Sequence, residues 1–524
     1  MTRRNGALKL IVYSGLLTII LILYPLGTFV SFVSQYVFNQ KAYADGLTQE
    51  NLPPASVGNR QLSLYLKVSP PILTTAASHN AYMQFRLFDA SNNQTIQHVT
   101  YQITVTRGSS TTSLSKLNQK PLLLDFFHAH NGLLTLHVEP TNGALTIFGE
   151  QDPILQAWVA DPGGNILVRG PLLLQGGLYH FHVEIFTVDN DRSLFIPEQA
   201  PKFDAWLSVG DVYYNVWNYQ NQNYNTTLIS YYDKLHSNPN FQPTNRTFTW
   251  SMPFNWNLTR IKQQPIFVHE EMRVPKSWKG FGDSTQFNAT VNGQPLTGRS
   301  LAIDPFSYPN AMVVHYLVNK NDILKLAQEI DSNGNNKTAA SEAGVTNKNL
   351  SGTMKFALSP LSAATTASTQ IATSSDIPTN TGSIHAAISW SPNPLVPNAQ
   401  STLRISFYDP TATAPLTGTN VKYNLVIYDK NNNPVITKQN LLAKNAAGTE
   451  TIVFPAAETY HMQVKITGLV KPGLTPDFTR NGVATGYVVV PEFPTSISVA
   501  LIMGVLLGTL IVFQRVSSRK FTNI

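Results

Sequence analysis

The sequence predicts a mainly β protein. Two related β-sandwiches flank an aromatic-rich β domain with a minor helical part, and a transmembrane helix stands at each end. Three observations predict this. Apolar residues alternate with period 2 in short runs separated by Pro, Gly and Asn turn signals, the pattern of half-buried strands. Residue blocks near position 85 recur near position 405. Long apolar stretches occur at both termini.

The first element is residues 1–44. Leu8 to Val33 is apolar except for Lys9, and about 20 such residues cross a bilayer core of about 30 Å. Ala42-Tyr43-Ala44 then offers a small-residue cleavage motif. The segment (span 8–33) therefore reads equally as a signal anchor or a signal peptide. At the other end, residues 491–524 contain a second apolar span, 497–513, followed by Arg515, Arg519 and Lys520. Basic residues on the terminal side of both spans place both termini in the cytoplasm and the body outside the cell membrane.

The same bases explain the net charge. Of 37 Lys and Arg, six lie in 1–40 and 514–524, which leaves 31 against 30 acids. A nucleic-acid groove needs a local basic excess. The body has none, so that class of partner is excluded.

Residues 45–200 and 384–490 form the repeat. Val99-x-Tyr101-x-Ile103-x-Val105 matches Val421-x-Tyr423-x-Leu425-x-Ile427. Met83 to Asp89 matches Leu403 to Asp409, and Ser69-Pro70 matches Ser391-Pro392. Tyr179 to Ile185 matches Tyr460 to Ile466. Short alternating strands with closely spaced turns point to an immunoglobulin-like sandwich used twice. The first copy is longer, and the extra length reads as an insert carrying Asp125, His128, His130 and His137.

Between the copies, residues 201–350 are rich in aromatics and Asn, including Trp206, Tyr213, Tyr214, Trp217, Tyr219, Tyr224, Trp250 and Trp256. A short helix is expected at 322–330 with Asn321 as N-cap. Residues 351–383 read as a Ser/Thr-rich linker.

The chain has no cysteine, which excludes disulfides, thiolate zinc sites, iron–sulfur clusters and blue-copper centres. Any metal is left to His and carboxylates. Two H-x-H pairs stand out, His128/His130 and His180/His182, with Glu184 in phase with the second. Residues i and i+2 of a strand share a face, so paired strands can offer several nitrogens to copper(II) or zinc. His180 has a counterpart in His461, where no second pair exists, so ordinary strand histidines are the alternative. Asp189-Asn190-Asp191 reads as a loop or a calcium ligand set. No catalytic constellation is found: His269-Glu270-Glu271 lacks the spacing of a zinc protease helix. Seven N-x-S/T sequons, at Asn93, Asn225, Asn245, Asn257, Asn288, Asn336 and Asn349, are glycosylation candidates of an exterior chain.

Pro491-Glu492-Phe493-Pro494, the apolar span and the basic cluster together resemble the PEF-type sorting tails of archaeal surface proteins. Pro494 departs from the Gly of the version in ammonia-oxidising archaea. The resemblance implies processing by a sortase-like enzyme and a surface location. The stretches 176–182 (GGLYHFH) and 251–259 (SMPFNWNLT) are similar to uncharacterised secreted proteins of those archaea, which implies a copper-using setting. The expected role is therefore a membrane-tethered surface protein, structural or binding, partnered by the cell-surface layer or a membrane complex. The alternatives are a copper- or zinc-binding accessory protein and a glycan-binding surface protein.

Overall fold

A computed structural model describes residues 47–74, 80–107, 121–264, 266–284, 286–296, 298–333, 352–361, 373–411 and 413–492. All of them belong to the second of two compact units, which begins at Tyr43. The apolar spans 8–33 and 497–513 and the tail from Phe493 lie outside the described residues, as do Asn336 and Asn349. No helix among the described residues is long and apolar enough to cross a membrane.

The fold is mainly β, with several sheets. Its N-terminal part uses eight principal strands: β1 (Gln49–Asn51), β2 (Arg60–Ser69), β3 (Ala81–Asp89), β4 (Val99–Arg107), β5 (Leu123–Ala129), β6 (Leu133–Pro140), β7 (Gly177–Thr187) and β8 (Lys202–Tyr219). One sheet runs β1-β2-β3-β6 and continues through Asn165–Gly170 to Thr146–Phe148. The other contains β5-β4-β7-β8. Alternation places Tyr179, Phe181, Val183 and Ile185 of β7 in the shared core with Phe85, Leu87, Tyr101 and Ile103. His180, His182 and Glu184 point away from that core.

Strand β5, which carries His128, is the sheet neighbour of β4 and so part of the sandwich itself, not an insert. Among the described residues, the extra length of this half includes the strands between 146 and 170.

Strand β8 is long enough to serve two regions. Its residues 202–209 pair with β7, and 211–219 pair with β9 (Gln222–Ser230). The sheet thus continues through β9 into the middle region, where β10 (Thr247–Pro253), β11 (Phe267–Pro275), β12 (Ala311–Asn319) and β13 (Thr353–Pro360) follow. Here β11 and β12 extend the long sheet, while β10 and β13 are adjacent in a five-stranded one. One apolar core draws on both sheets.

Residues 353–360 correct the linker reading of 351–383. Met354, Phe356 and Leu358 are buried at period 2 and make β13 a central strand. The alternation was masked by the Ser/Thr/Ala run that follows it. Most of the aromatic run also faces inward: Trp250 and Trp256 are core residues, and Tyr213, Trp217, Tyr219 and Tyr224 pack against that core. Tyr214 is the exception at 72% exposed.

Two α-helices are present among the described residues, α1 (Leu258–Gln263) and α2 (Lys320–Asn333). α2 starts earlier than expected. Asn319 Oδ1, not Asn321, accepts from the first free N–H groups, those of Asn321 and Asp322. Asn257 caps α1 through its side chain. Among the other described sequons, Asn93, Asn225, Asn245 and Asn288 are exposed.

The C-terminal part has two four-stranded sheets. With β14 (Asp376–Pro378), β15 (His385–Ser391), β16 (Gln400–Tyr408), β17 (Asn420–Tyr428), β18 (Pro434–Ala443), β19 (Ala447–Val453), β20 (Thr459–Val470) and β21 (Gly482–Val489), the orders are β14-β15-β16-β19 and β18-β17-β20-β21. Of these, β15-β16-β19 match β2-β3-β6 and β18-β17-β20-β21 match β5-β4-β7-β8, strand for strand. The copies even share an irregularity. Ile185 faces Tyr101 and Thr187 faces Thr100, while Ile466 faces Tyr423 and Gly468 faces Lys422. Each copy therefore carries the same one-residue bulge.

Candidate metal centre

Three connections at one end of the N-terminal sandwich bring four potential ligands together. His98 closes the loop before β4, His128 and His130 stand at the end of β5 and in the turn after it, and Asp191 lies in the loop after β7. Register explains the meeting. Thr100 faces both His128 on β5 and Thr187 on β7, so the strand ends are level. The turn after His130 then folds tightly against residues 96–98. Gly132 has φ +72°, and a Cβ there would lie 1.6 Å from the Ile96 carbonyl oxygen, so only glycine fits. The His98 N–H donates to the His130 carbonyl at 2.9 Å.

The donor atoms lie close together. His98 Nδ1 is 2.8 Å from Asp191 Oδ1, and His128 Nε2 is 3.3 Å from the same oxygen. His130 Nδ1 is 3.2 Å from His128 Nε2, 3.5 Å from His98 Nδ1 and 3.9 Å from Asp191 Oδ2. Four ligands at about 2.0–2.1 Å around one tetrahedral ion stand about 3.3 Å apart. The cluster thus has the spacing a small ion demands, with three imidazoles and one carboxylate as its donors.

A hydrogen-bond chain backs His128. Thr187 Oγ1 is 2.8 Å from both the His98 carbonyl oxygen and Thr100 Oγ1, and Thr100 Oγ1 is 2.9 Å from His128 Nδ1. Thr187 Oγ1 donates to the His98 carbonyl and towards Thr100 Oγ1, and Thr100 Oγ1 in turn bonds His128 Nδ1, with the His128 tautomer setting which of the two donates. Nε2 is the His128 nitrogen that faces the cluster, and ligation through it requires the proton on Nδ1, where Thr100 Oγ1 accepts it. Burial also lowers the His128 pKa, against the pull of Asp191, which keeps the ring neutral as ligation requires.

The second H-x-H pair does not join this site. His182 is five residues before Thr187 on β7, about 17 Å along a strand. His180 Nε2 donates to Asp204 Oδ1 at 2.8 Å and stacks on Trp206. His182 gives Nδ1–H to Asp204 and Nε2–H to Glu184, each at 3.0 Å. With both nitrogens donating, it has no lone pair for a metal. The hydrogen bond to Asp204 raises the His182 pKa despite burial. Asp204 is held far below the usual carboxylate range: burial pushes it up, and the hydrogen bonds from His180 and His182 outweigh that. This is an ion-pair network. His180, His182 and Glu184 are not placed as ligands.

A third group is His269, Glu271 and His315, all buried on β11 and β12. His269 Nε2 is 3.2 Å from His315 Nδ1, and Arg273 Nε donates to Glu271. The outer nitrogens, His269 Nδ1 and His315 Nε2, have no partner. Ligating histidines normally pass that second N–H to a partner. Burial, then His315, drives the His269 pKa well down, and Tyr231 stacks on its ring. The group reads as a buried histidine pair without the outer partners that brace a ligand.

Sequence reasoning found His128 and His130 and missed His98 and Asp191 as their companions. Asp191 belonged to a noted acidic loop, but nothing in its spacing tied it to histidines some 60 residues upstream.

No family model matches the chain, and no curated protein matches it. Solved structures give distant likenesses only. Latent PorU from Porphyromonas gingivalis is 9% identical with a TM-score of 0.15, over 78% of this chain and 32% of that one. The α2-macroglobulin of Escherichia coli is 10% identical with a TM-score of 0.14, over 85% and 32%. A Salmonella α2-macroglobulin mutant is 7% identical with a TM-score of 0.16, over 83% and 33%. The chain thus spans about a third of the length of each.

Proposed function

We propose that this is a membrane-tethered exterior protein, built on two immunoglobulin-like sandwiches, that binds one zinc or copper(II) ion through His98, His128, His130 and Asp191. The observation that carries it is the convergence of those four donors from three separate connections. The absence of cysteine favours an ion held by nitrogen and oxygen.

The immunoglobulin-like reading is supported by a tyrosine at the same place in both copies. Tyr179 donates its hydroxyl proton to the Gln175 carbonyl and Tyr460 to that of Ala456, each four residues upstream. This is the tyrosine corner of such sandwiches. The terminal apolar spans, their basic flanks and the PEF-type tail support the tether, with the cell-surface layer or a membrane complex as neighbour.

Metal analysis of the full chain, with zinc and copper(II) titration, tests the assignment. One ion per chain is expected, lost in a His128→Ala/His130→Ala protein. Equal binding by that variant rejects it.

A further inference from the structure

We propose that this centre is an exchange site. It hands its ion to an incoming ligand by an associative route, with His128 as the fixed anchor and His130 as the first ligand to leave. The inference rests on the metal reading above and adds what the site does with the ion.

The four ligands are held very unequally. The His128 side chain is 1% exposed, against 36% for Asp191, 40% for His98 and 58% for His130. Only His128 has its second ring nitrogen fixed, through buried Thr100 and Thr187 to the His98 backbone. The hydrogen bonds of His98 and His130 run through Nδ1 alone among the described residues. His130 Nδ1 also stands 3.9 Å from the nearer Asp191 oxygen, against 2.8 Å for His98 Nδ1 and 3.3 Å for His128 Nε2. A permanent structural site closes all four positions and braces its ligands from behind. This one braces a single ligand and leaves three at the rim, where an outside imidazole or carboxylate can reach the ion.

The brace itself is a hydroxyl. A carboxylate behind a ligating histidine makes the ring a stronger donor, and a threonine hydroxyl carries no such charge. Exchange then proceeds by replacement. The incoming donor forms its bond to the ion, the His130 Nδ1 bond breaks, and the other rim ligands follow before His128 releases. The partner is a second site with nitrogen or oxygen donors and the same ion preference.

The test is stopped-flow transfer from the zinc-loaded full chain to a chromogenic chelator. The observed rate should rise with chelator concentration, and His130→Ala should speed transfer while still holding zinc. Thr100→Val should weaken zinc binding by roughly 10–100-fold, the range for loss of an outer-shell partner, and Thr100→Ser should restore it. In the zinc-loaded protein, 15N shifts should show His128 bound through Nε2 and protonated at Nδ1. A rate independent of chelator, no transfer at all, or equal zinc affinity in Thr100→Val overturns the proposal. A wild-type chain that takes up no zinc overturns the metal reading along with it. A chain that keeps zinc but fails these kinetics overturns exchange alone.

Discussion

The two sandwiches share strands, order and a bulge, yet they use the same loop end differently. Register maps the N-terminal ligands onto the C-terminal copy. Thr100 faces His128, and its equivalent Lys422 faces Leu442. By the same alignment His98 becomes Asn420, His130 becomes Lys444 and Thr187 becomes Gly468. No ligand and no member of the threonine relay survives. Instead the loop after β20 docks on the N-terminal copy. Thr475 N–H and Oγ1 donate to the Ala90 carbonyl, Asn51 Nδ2 donates to Asp477, and Asn51 N–H donates to Thr479. Arg480 pairs with buried Glu50. The difference teaches that the strands supply a frame, while the connections at one end decide whether it gathers an ion or a neighbouring sandwich.

The largest effect should come from breaking the dock. Removing one partner of a buried ion pair costs about 3–5 kcal/mol. Glu50→Ala should lower stability by that order in chemical denaturation and separate the C-terminal transition from the rest. A single unchanged transition would show that the dock contributes little.

The tyrosine corners probe what the copies share. Tyr179→Phe removes the bond to the Gln175 carbonyl, while Tyr460→Phe removes the bond to the Ala456 carbonyl and the one accepted from the Ala456 N–H, each worth about 1 kcal/mol. A loss from both, somewhat larger for Tyr460→Phe, should appear in the same denaturation assay. A loss in one copy alone would break the equivalence.

A smaller effect separates the copies again. His182 faces Thr104, and its equivalent Gln463 faces Val426, so His182→Gln makes the first copy resemble the second. The raised His182 pKa means its stabilisation is complete below about pH 6.5 and is lost as pH rises through the folded value. The lowered Asp204 pKa means its stabilisation is present above about pH 4 and is lost on acidification through the folded value. The melting-temperature gap between wild type and His182→Gln should therefore be widest between about pH 4 and 6.5 and narrow by pH 8.5. A gap constant with pH would remove the ion-pair account.

Much of the frame was legible because alternation is local. Val99–Val105 and Val421–Ile427 show their buried faces in the residues themselves, and the common offset exposed the duplication. β13 was missed because its four-position alternation abuts a featureless Ser/Thr/Ala run. The site was half legible: His128 and His130 share a strand end, so their spacing is meaningful. His98 and Asp191 reach them only through the register of β4 with β5 and β7. Asp204 likewise captures His180 and His182 by lying across from His182 on β8, a pairing their spacing does not encode.

Anomalous diffraction from crystals of the zinc-loaded protein tests the central claim most directly. One ion per chain is predicted, bonded to His98, His128, His130 and Asp191, with none in the C-terminal sandwich. An ion on His180 and His182, or among residues of the second copy, would contradict the account.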